Sequence, residues 1–143
     1  MRSTLTNKSI SFETRKRIMR CYIWSTLLYG AETWTLTSAM VKRLEAFEMW
    51  IYCRMLKISW TDKMSNKEVL RRANANRQLM KTIQQRSLQF FGHLVRRNNI
   101  HRVLIEGKIN GKRGRRRPIT SWVNNIVKWT GLDYPSVVRI AQD

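Results

Sequence analysis

Apolar residues recur every three or four positions through the middle of the chain, which is the spacing of one face of an α-helix. The clearest series begins after Ser38 and continues to about residue 58, and it comprises Val41, Leu44, Phe47, Ile51, Met55 and Ile58. A second series lies between about residues 77 and 96, and it comprises Met80, Ile83, Leu88, Phe91, Leu94 and Val95. Each series predicts an amphipathic helix that turns one face toward a core.

Shorter elements are predicted from residues that begin or end helices. Ser11 has the character of an N-cap for a helix that continues to about Leu28 and ends at Gly30. Ser65 and Glu68 have the spacing of a capping box, which predicts a short helix to about residue 73. The alternating residues 32–37 predict an extended connector.

The pattern changes after about residue 97, where glycine and basic residues replace the apolar series. Residues 97–118 are predicted to form a basic arm, either irregular or a short hairpin. Residues 119–143 are predicted to form a pair of helices separated by Gly131. The sequence thus predicts a mainly α fold, a helical bundle, with a polar segment at 1–10, a core at 11–96, the arm at 97–118 and a C-terminal helical pair at 119–143.

Charge narrows the range of partners. The 143 residues include 28 Lys and Arg against 9 Asp and Glu, for a formal net charge of +19. Self-repulsion at this charge opposes a compact state unless a polyanion neutralises it. No apolar run has the roughly 18 residues of a membrane span, and no secretory signal precedes the first helix. We therefore expect an intracellular protein, nuclear or cytoplasmic and not secreted, whose partner is RNA, DNA or an RNA–DNA duplex rather than a membrane or a small molecule.

The basic arm carries the densest charge. Its glycines leave the backbone free to follow a phosphate track, and guanidinium groups bind phosphate with two parallel hydrogen bonds. A solvated linker or a nuclear-localisation signal is the alternative for such a tract. The cations predicted to contact phosphate here are Lys108, Lys112, Arg113, Arg115, Arg116 and Arg117.

Further cations cluster in the predicted helices with few acids beside them, so a shared nucleic-acid groove is as plausible as a solvated face. They are Arg15, Lys16, Arg17, Arg20, Arg71, Arg72, Arg96 and Arg97. Most aromatic residues, among them Phe47, Trp50, Phe90 and Phe91, lie on apolar stripes and are expected in a core. Trp34 and Trp60 lie near helix ends and are the candidates for base stacking.

Catalytic and metal-binding patterns are missing from the sequence. Cys21 and Cys53 are expected as buried free thiols, and they form no ligand spacing with His93 or His101. Glu45 and Glu48 share a helix face, but neighbouring cations (Lys42, Arg43 and Arg54) are expected to pair with them. No other grouping of acids suggests a two-metal site. We expect no catalysis, no metal and no cofactor.

Several segments together resemble the C-terminal region of the reverse transcriptase of non-LTR (LINE-type) retrotransposons. The matching segments are residues 15–22, 27–36, 44–48, 88–97 and 107–118, followed by Trp122 and Asn125-Ile126. The most specific parts are Leu27-Leu28-Tyr29-Gly30-Ala31-Glu32-Thr33-Trp34, and Phe91-Gly92-His93 followed by Gly111-Lys112-Arg113-Gly114-Arg115. The resemblance covers nearly the whole chain.

That resemblance implies the helical thumb and the extension after it, which grip a template–primer duplex in these RNA-directed DNA polymerases. The family's catalytic aspartates belong to a Tyr/Phe-x-Asp-Asp motif, which this sequence lacks together with the palm and fingers. The chain is therefore expected to be a binding fragment of a transposable element rather than an enzyme, with the palm and fingers as a further partner. Alternatives are a helical protein–protein docking module and a domesticated, standalone RNA- or DNA-binding protein.

Overall fold

The computed structural model describes residues 2–97 and 121–142, and these residues are mainly α-helical, as the sequence predicts. No β-strand occurs in these two ranges. The α-helices are α1 (Arg2–Thr6), α2 (Phe12–Ile18), α3 (Ser25–Leu27), α4 (Ser38–Leu56), α5 (Asn66–Arg72), α6 (Leu79–Arg96), α7 (Trp122–Thr130) and α8 (Tyr134–Gln142). The predicted basic arm lies almost entirely outside the described residues.

The chain forms two compact units. The first comprises Met1–Tyr29 and Ser38–Thr82, and the second comprises Gly30–Thr37 and Ile83–Asp143. The sequence places a boundary near residue 97, whereas the compact units divide within α6. Periodicity cannot reveal such a division, because one continuous helix can supply apolar residues to two cores.

In the first unit, α1 and α5 both contact α4. The buried apolar face of α4 includes Met49, Ile51, Tyr52 and Met55, close to the face that the sequence predicts. Within the polar segment 1–10, for which the sequence predicts no helix, residues 2–6 form α1 and Leu5 is 6% exposed. A five-residue helix is too short for periodicity to detect, and its burial rather than its local sequence stabilises it.

The predicted helix from Phe12 to Leu28 is interrupted. Ser11 caps α2 as expected, since its hydroxyl accepts a hydrogen bond from the Thr14 N–H. A π-helical turn, Met19–Trp24, then separates α2 from α3. The hydroxyls of Ser25 and Thr26 donate to the carbonyls at positions 21 and 22, and such bonding competes with the regular α-helical pattern. Gly30 follows with a φ of 66°, which glycine adopts without strain.

The capping box predicted at Ser65 is only half formed. The Ser65 hydroxyl accepts from the Glu68 N–H, but arginines hold the Glu68 carboxylate. A complete box occurs instead at Ser59, whose N–H donates to the Asp62 carboxylate 2.9 Å away. This box fixes a 3₁₀ turn, Trp60–Asp62, that the sequence pattern did not predict.

The core of the second unit is made by α6, α7 and α8. Its buried members are Phe91, Val95, Ile126, Val137 and Val138, and half-buried aromatic residues pack against them. The Phe91 ring lies 6.1 Å from the Trp122 ring and 6.3 Å from the Tyr134 ring. The Trp122 indole N–H donates to the Glu32 carbonyl, so the 3₁₀ turn Ala31–Thr33 is tied to the same unit. The C-terminal helical pair is thus present, with α7 beginning at Trp122 after its N-cap residue Ser121, and Ile119 lies outside the described residues.

Candidate nucleic-acid interface

Two of the predicted binding cations on α2 point into the protein. The Arg15 guanidinium donates hydrogen bonds to the Leu5 carbonyl at 3.1 Å and to the Met55 carbonyl at 2.7 Å. It also lies 5.2 Å from the centre of the Phe12 ring, at cation–π distance. Through these two hydrogen bonds, both from one guanidinium nitrogen, Arg15 fastens α1 and α4 to α2.

Lys16 is even more enclosed, at 7% exposure. Its ammonium donates to the carbonyls of Ala73 and Asn74, both at 3.3 Å, and forms an ion pair with Glu13. A buried ammonium is tolerated only where such acceptors surround it. The amphipathic pattern does not distinguish Lys16 from its neighbours, because its acceptors come from a turn 57 residues later in the sequence.

The next two cations on this segment are exposed. Arg17 and Arg20 both face solvent, and one Arg20 nitrogen donates to the Gln78 side chain at 3.0 Å. Arg20 and Arg17 line the same shallow depression together with Glu13, Thr14 and Lys16. They are available to a ligand in a way that Arg15 and Lys16 are not.

Arg71 and Arg72 share one acidic partner. The Glu68 carboxylate accepts two hydrogen bonds from Arg71, both at 2.8 Å, and one from Arg72 at 3.1 Å. These bonds, the Arg71 bond first, lower the pKa of the Glu68 carboxyl from its ordinary value of 4.5 to about 2. The side chains of Arg71 and Arg72 remain 77% and 52% exposed, so each still has donors that face solvent.

Of these cations, Lys16, Arg20 and Arg71 line one groove in the first unit, which we call the α2–α5 groove. It has a volume of about 520 Å³ and is lined by Lys16, Arg20, Lys67, Leu70, Arg71, Asn74, Ala75, Asn76 and Gln78. No acidic residue occurs among these lining residues, all of which belong to the described part of the chain. Its floor is the buried Lys16, and its exposed cations are Arg20, Lys67 and Arg71.

Lys67 was not among the residues selected from the sequence. The spacing of the basic residues could have indicated Lys67, since it precedes Arg71 by four positions in α5 and residues at this spacing share a helix face. Isolated lysines are common on surfaces, and only the approach of α2 to the 73–78 segment gives this one a place in a cluster.

The remaining predicted cations do not belong to this groove. Arg96 and Arg97 are exposed in the second unit, where the Arg96 guanidinium donates to the Ala141 carbonyl at 3.0 Å. Those of the basic arm lie outside the described residues: Lys108, Lys112, Arg113, Arg115, Arg116 and Arg117. Nucleic-acid contact by any of these side chains stays a prediction.

The division of the aromatic residues into buried and exposed ones differs in part from the expectation. Phe91 is buried as expected, but Trp50, which was expected in the core, is 55% exposed and stacks on Phe47 with ring centres 6.2 Å apart. Of the two stacking candidates, Trp34 is half-buried and Trp60 is 88% exposed. Trp50 is therefore available for stacking although its helical position suggested otherwise.

In the part of the chain that the structure describes, cysteine and histidine show no arrangement that would hold a metal. Cys21 and Cys53 are free thiols, but Cys21 is exposed and Cys53 half-buried, so the expectation that both are buried is wrong. Cys21 lies in the π-helical turn, whose altered periodicity moves side chains out of the α-helical register. Burial raises the pKa of the Cys53 thiol. Within residues 2–97 and 121–142, no three His, Cys, Asp or Glu side chains come together as a metal site needs.

Glu48 is another residue whose role the sequence did not reveal. It was expected to pair with surface cations, but it is 1% exposed. One of its carboxylate oxygens accepts hydrogen bonds from the N–H groups of Gln78 at 2.8 Å and Leu79 at 3.1 Å. Glu48 therefore caps the N-terminus of α6 and holds Gln78 at the edge of the α2–α5 groove.

None of the helices in the described ranges combines the length and apolarity needed to cross a membrane. Comparison of the chain with protein-family models, with curated proteins and with solved structures gave no match.

Proposed function

We propose that this chain binds double-stranded nucleic acid, a template–primer duplex of RNA, DNA or both, through contacts of the α2–α5 groove with phosphates. The observation that carries the proposal is the convergence of Arg20, Lys67 and Arg71 around one depression without an acidic lining residue. Neutralising a phosphate releases its condensed counterions, and this release drives binding that is independent of sequence.

The cations of the first unit differ in whether they contact acceptors within the fold or face solvent, and the solvent-facing ones favour a ligand outside the protein. Lys16 and Arg15 have carbonyl acceptors within the fold, whereas Lys67 and Arg71 are exposed on one face of α5. Glu68 offsets only part of the charge of Arg71 and Arg72, whose side chains remain exposed. A site that recognises backbone shape rather than base sequence needs this kind of fixed positive surface.

The resemblance to the thumb region of LINE-type reverse transcriptases supports the same proposal, since a thumb holds a duplex whose sequence changes at every step. We further propose that the chain itself does not catalyse. Several acids that a two-metal site would require are committed to structural contacts, as Glu13 is to Lys16, Glu48 to the N-terminus of α6 and Glu68 to arginines.

A charge-matched comparison tests the proposal. The groove variant carries Arg20→Gln, Lys67→Gln and Arg71→Gln. The control variant carries Lys42→Gln, Arg43→Gln and Lys81→Gln, which remove the same charge from exposed positions on α4 and α6. The arm is intact in both, so its contribution to the comparison cancels.

The measurement is the fluorescence anisotropy of a labelled duplex or RNA–DNA hybrid of about 20 base pairs, titrated from about 50 to 200 mM salt. Each lost phosphate contact lowers the slope of log affinity against log salt by about 0.9 on B-form DNA, so the groove variant is expected to lose about 2 to 3. The control is expected to lose less than about 1. Equal losses in the two variants, or no binding of the wild type at low salt, would refute the proposal.

Exposed tyrosines favour protein docking as a second candidate function. Tyr22 and Tyr29 are 60% and 87% exposed in the first unit. A docking module with this surface is expected to self-associate when isolated, and a Tyr22→Ser, Tyr29→Ser variant should restore a monomer in sedimentation. A wild-type chain that is monomeric at about 100 μM, a concentration where apolar patches associate, would count against this candidate.

A further inference from the structure

A second cationic depression lies in the first unit, at the C-terminal end of α4. We call it the indole pocket, and it is lined by Trp50, Cys53, Arg54, Ile58, Ser59, Trp60, Lys63 and Met64. Its volume of about 400 Å³ lies within the range of about 300 to 1,000 Å³ that is typical of small-ligand pockets. It shares no lining residue with the α2–α5 groove.

Two indole rings border this pocket while remaining open to solvent. Trp60 is 88% exposed and Trp50 is 55% exposed, and they are the two most exposed tryptophans in the described residues. Such large apolar faces normally lie in a core or against a partner. The Phe47 ring stacks on the Trp50 ring at an interplanar angle of 17°, and this contact restricts the orientation of the indole.

The charge around the rings points to an anionic ligand. The Arg54 guanidinium lies 5.8 Å from the centre of the Trp50 ring, and Lys63 lines the same pocket. An adjoining depression shares Arg54 and three other lining residues and adds Lys57. Neither depression has an acid among its described lining residues, and the nearby Asp62 carboxylate accepts the Ser59 N–H inside the turn.

The backbone of this segment is strained at two lysines. Lys57 has a φ of 58° and Lys63 a φ of 45°, in the left-handed region that residues with a side chain rarely adopt. They bracket the 3₁₀ turn that presents Trp60. Strained positions of this kind cluster at ligand-binding segments, where the surrounding structure maintains them.

We propose that the indole pocket binds an unpaired nucleobase of a single-stranded nucleic acid, with the base against Trp60 and Trp50 and its flanking phosphates near Lys63 and Lys57. Aromatic platforms beside a cationic track are the general means of binding single strands without sequence preference. An apolar peptide would use the indole faces but leave Arg54 and Lys63 without a counterpart. The inference rests on the proposed function and assigns to the same chain a separate site for unpaired strand.

The test compares Trp60→Ala with Tyr29→Ala, a control that removes an equally exposed aromatic ring outside the pocket. Both side chains are nearly fully exposed, so both variants should retain the wild-type melting temperature. The ligands are labelled oligothymidylate of about 12 residues, the same strand made abasic, and the duplex used above; sites of about 4 to 16 nucleotides are usual for such proteins.

Trp60→Ala is expected to lower the ratio of oligothymidylate to duplex affinity by about 5- to 150-fold, the range for loss of one stacked base. Tyr29→Ala should leave the ratio unchanged, and the abasic strand should bind wild type and Trp60→Ala alike. Lys63→Gln should lower the salt slope for the single strand by about 0.7.

The inference would be overturned if Trp60→Ala left the ratio of oligothymidylate to duplex affinity unchanged, or if it weakened binding of the abasic strand equally. A pocket that binds a peptide would give the first of these results. Failure of the proposed function is distinguishable, because it is the groove variant that then fails to affect duplex binding. Loss of oligothymidylate binding in Trp60→Ala supports the indole pocket whether or not the groove holds a duplex.

Discussion

Glu48 offers the sharpest test of how this fold is held together. The substitution Glu48→Ala removes the carboxylate that accepts hydrogen bonds from two N–H groups at the N-terminus of α6, those of Gln78 and Leu79. The substitution Glu48→Gln keeps an acceptor oxygen but removes the charge. We expect both to destabilise the protein, and Glu48→Ala to do so more strongly.

The size of the effect follows from the contacts. A buried donor left without an acceptor costs about 1–3 kcal/mol, and two are released here, one buried and one partly buried. Removal of a buried charge offsets part of this loss, because its desolvation no longer opposes folding. The net expectation is a loss of about 2–4 kcal/mol in the free energy of unfolding for Glu48→Ala. For Glu48→Gln, which loses charge assistance and the favourable contact with the helix dipole, the expectation is about 1–2 kcal/mol.

Urea denaturation followed by circular dichroism measures these losses. With a denaturant slope of about 2 kcal/mol per M, Glu48→Ala should lower the midpoint by about 1–2 M. Glu45→Ala is the matched control, since Glu45 has the same side chain three positions earlier and only a half-exposed ion pair with Arg77 at 3.8 Å. Its expected cost is at most about 1 kcal/mol. If Glu48→Ala and Glu45→Ala have the same stability, the capping role assigned to Glu48 is wrong.

Three further predictions concern the cations of the first unit and their acidic partner Glu68. Lys16→Met should lower the free energy of unfolding by about 1–3 kcal/mol, because two carbonyls lose their donor. The same variant should leave the salt slope of duplex binding within about 0.5 of the wild-type value. Unchanged stability together with a salt slope lowered by about 1 would show that Lys16 contacts the ligand instead. Glu68→Gln should tighten duplex binding in the anisotropy assay, because Arg71 and Arg72 lose their internal partner, and a weakening would contradict this. The depressed pKa of Glu68, about 2 against an ordinary 4.5, means that its stabilising effect is complete above about pH 4.5 and is lost as the pH falls toward 2. The stability difference between wild type and Glu68→Gln in thermal melts should shrink across that window, and a constant difference from pH 7 to pH 2 would contradict the assigned ion pairs.

The long helices were predictable because each repeats its apolar residues on one face. The series through Ile51 and Met55 in α4 and the pattern that ends α7 at Gly131 both indicate helices of the observed kind. The sequence missed α1, since five residues carry too little periodicity and Leu5 is held by tertiary packing. It also missed the π-helical turn, near whose C-terminal end the hydroxyls of Ser25 and Thr26 donate to backbone carbonyls.

The candidate site was less predictable than the fold. Charge density pointed to α2, but it could not separate Lys16, which is buried, from Arg20, which is exposed. That difference depends on the 73–78 segment, which is distant along the chain. This segment supplies backbone carbonyls to Lys16 and the side-chain amide oxygen of Gln78 to Arg20. Trp50 was assigned to the core from its helical position, and its exposure depends on what the neighbouring elements leave uncovered.

The enclosed amine of Lys16 also allows local opening of the protein to be measured by chemical labelling. An acylating reagent reacts with a lysine only when the amine is deprotonated and accessible, and the Lys16 amine is held against the carbonyls of residues 73 and 74. Its labelling rate therefore measures how often α2 separates from that turn, while the solvent-facing Lys67 supplies the rate of an unhindered amine in the same molecule. A ligand seated between these two segments would slow both reactions, whereas one bound elsewhere would leave the Lys67 rate unchanged.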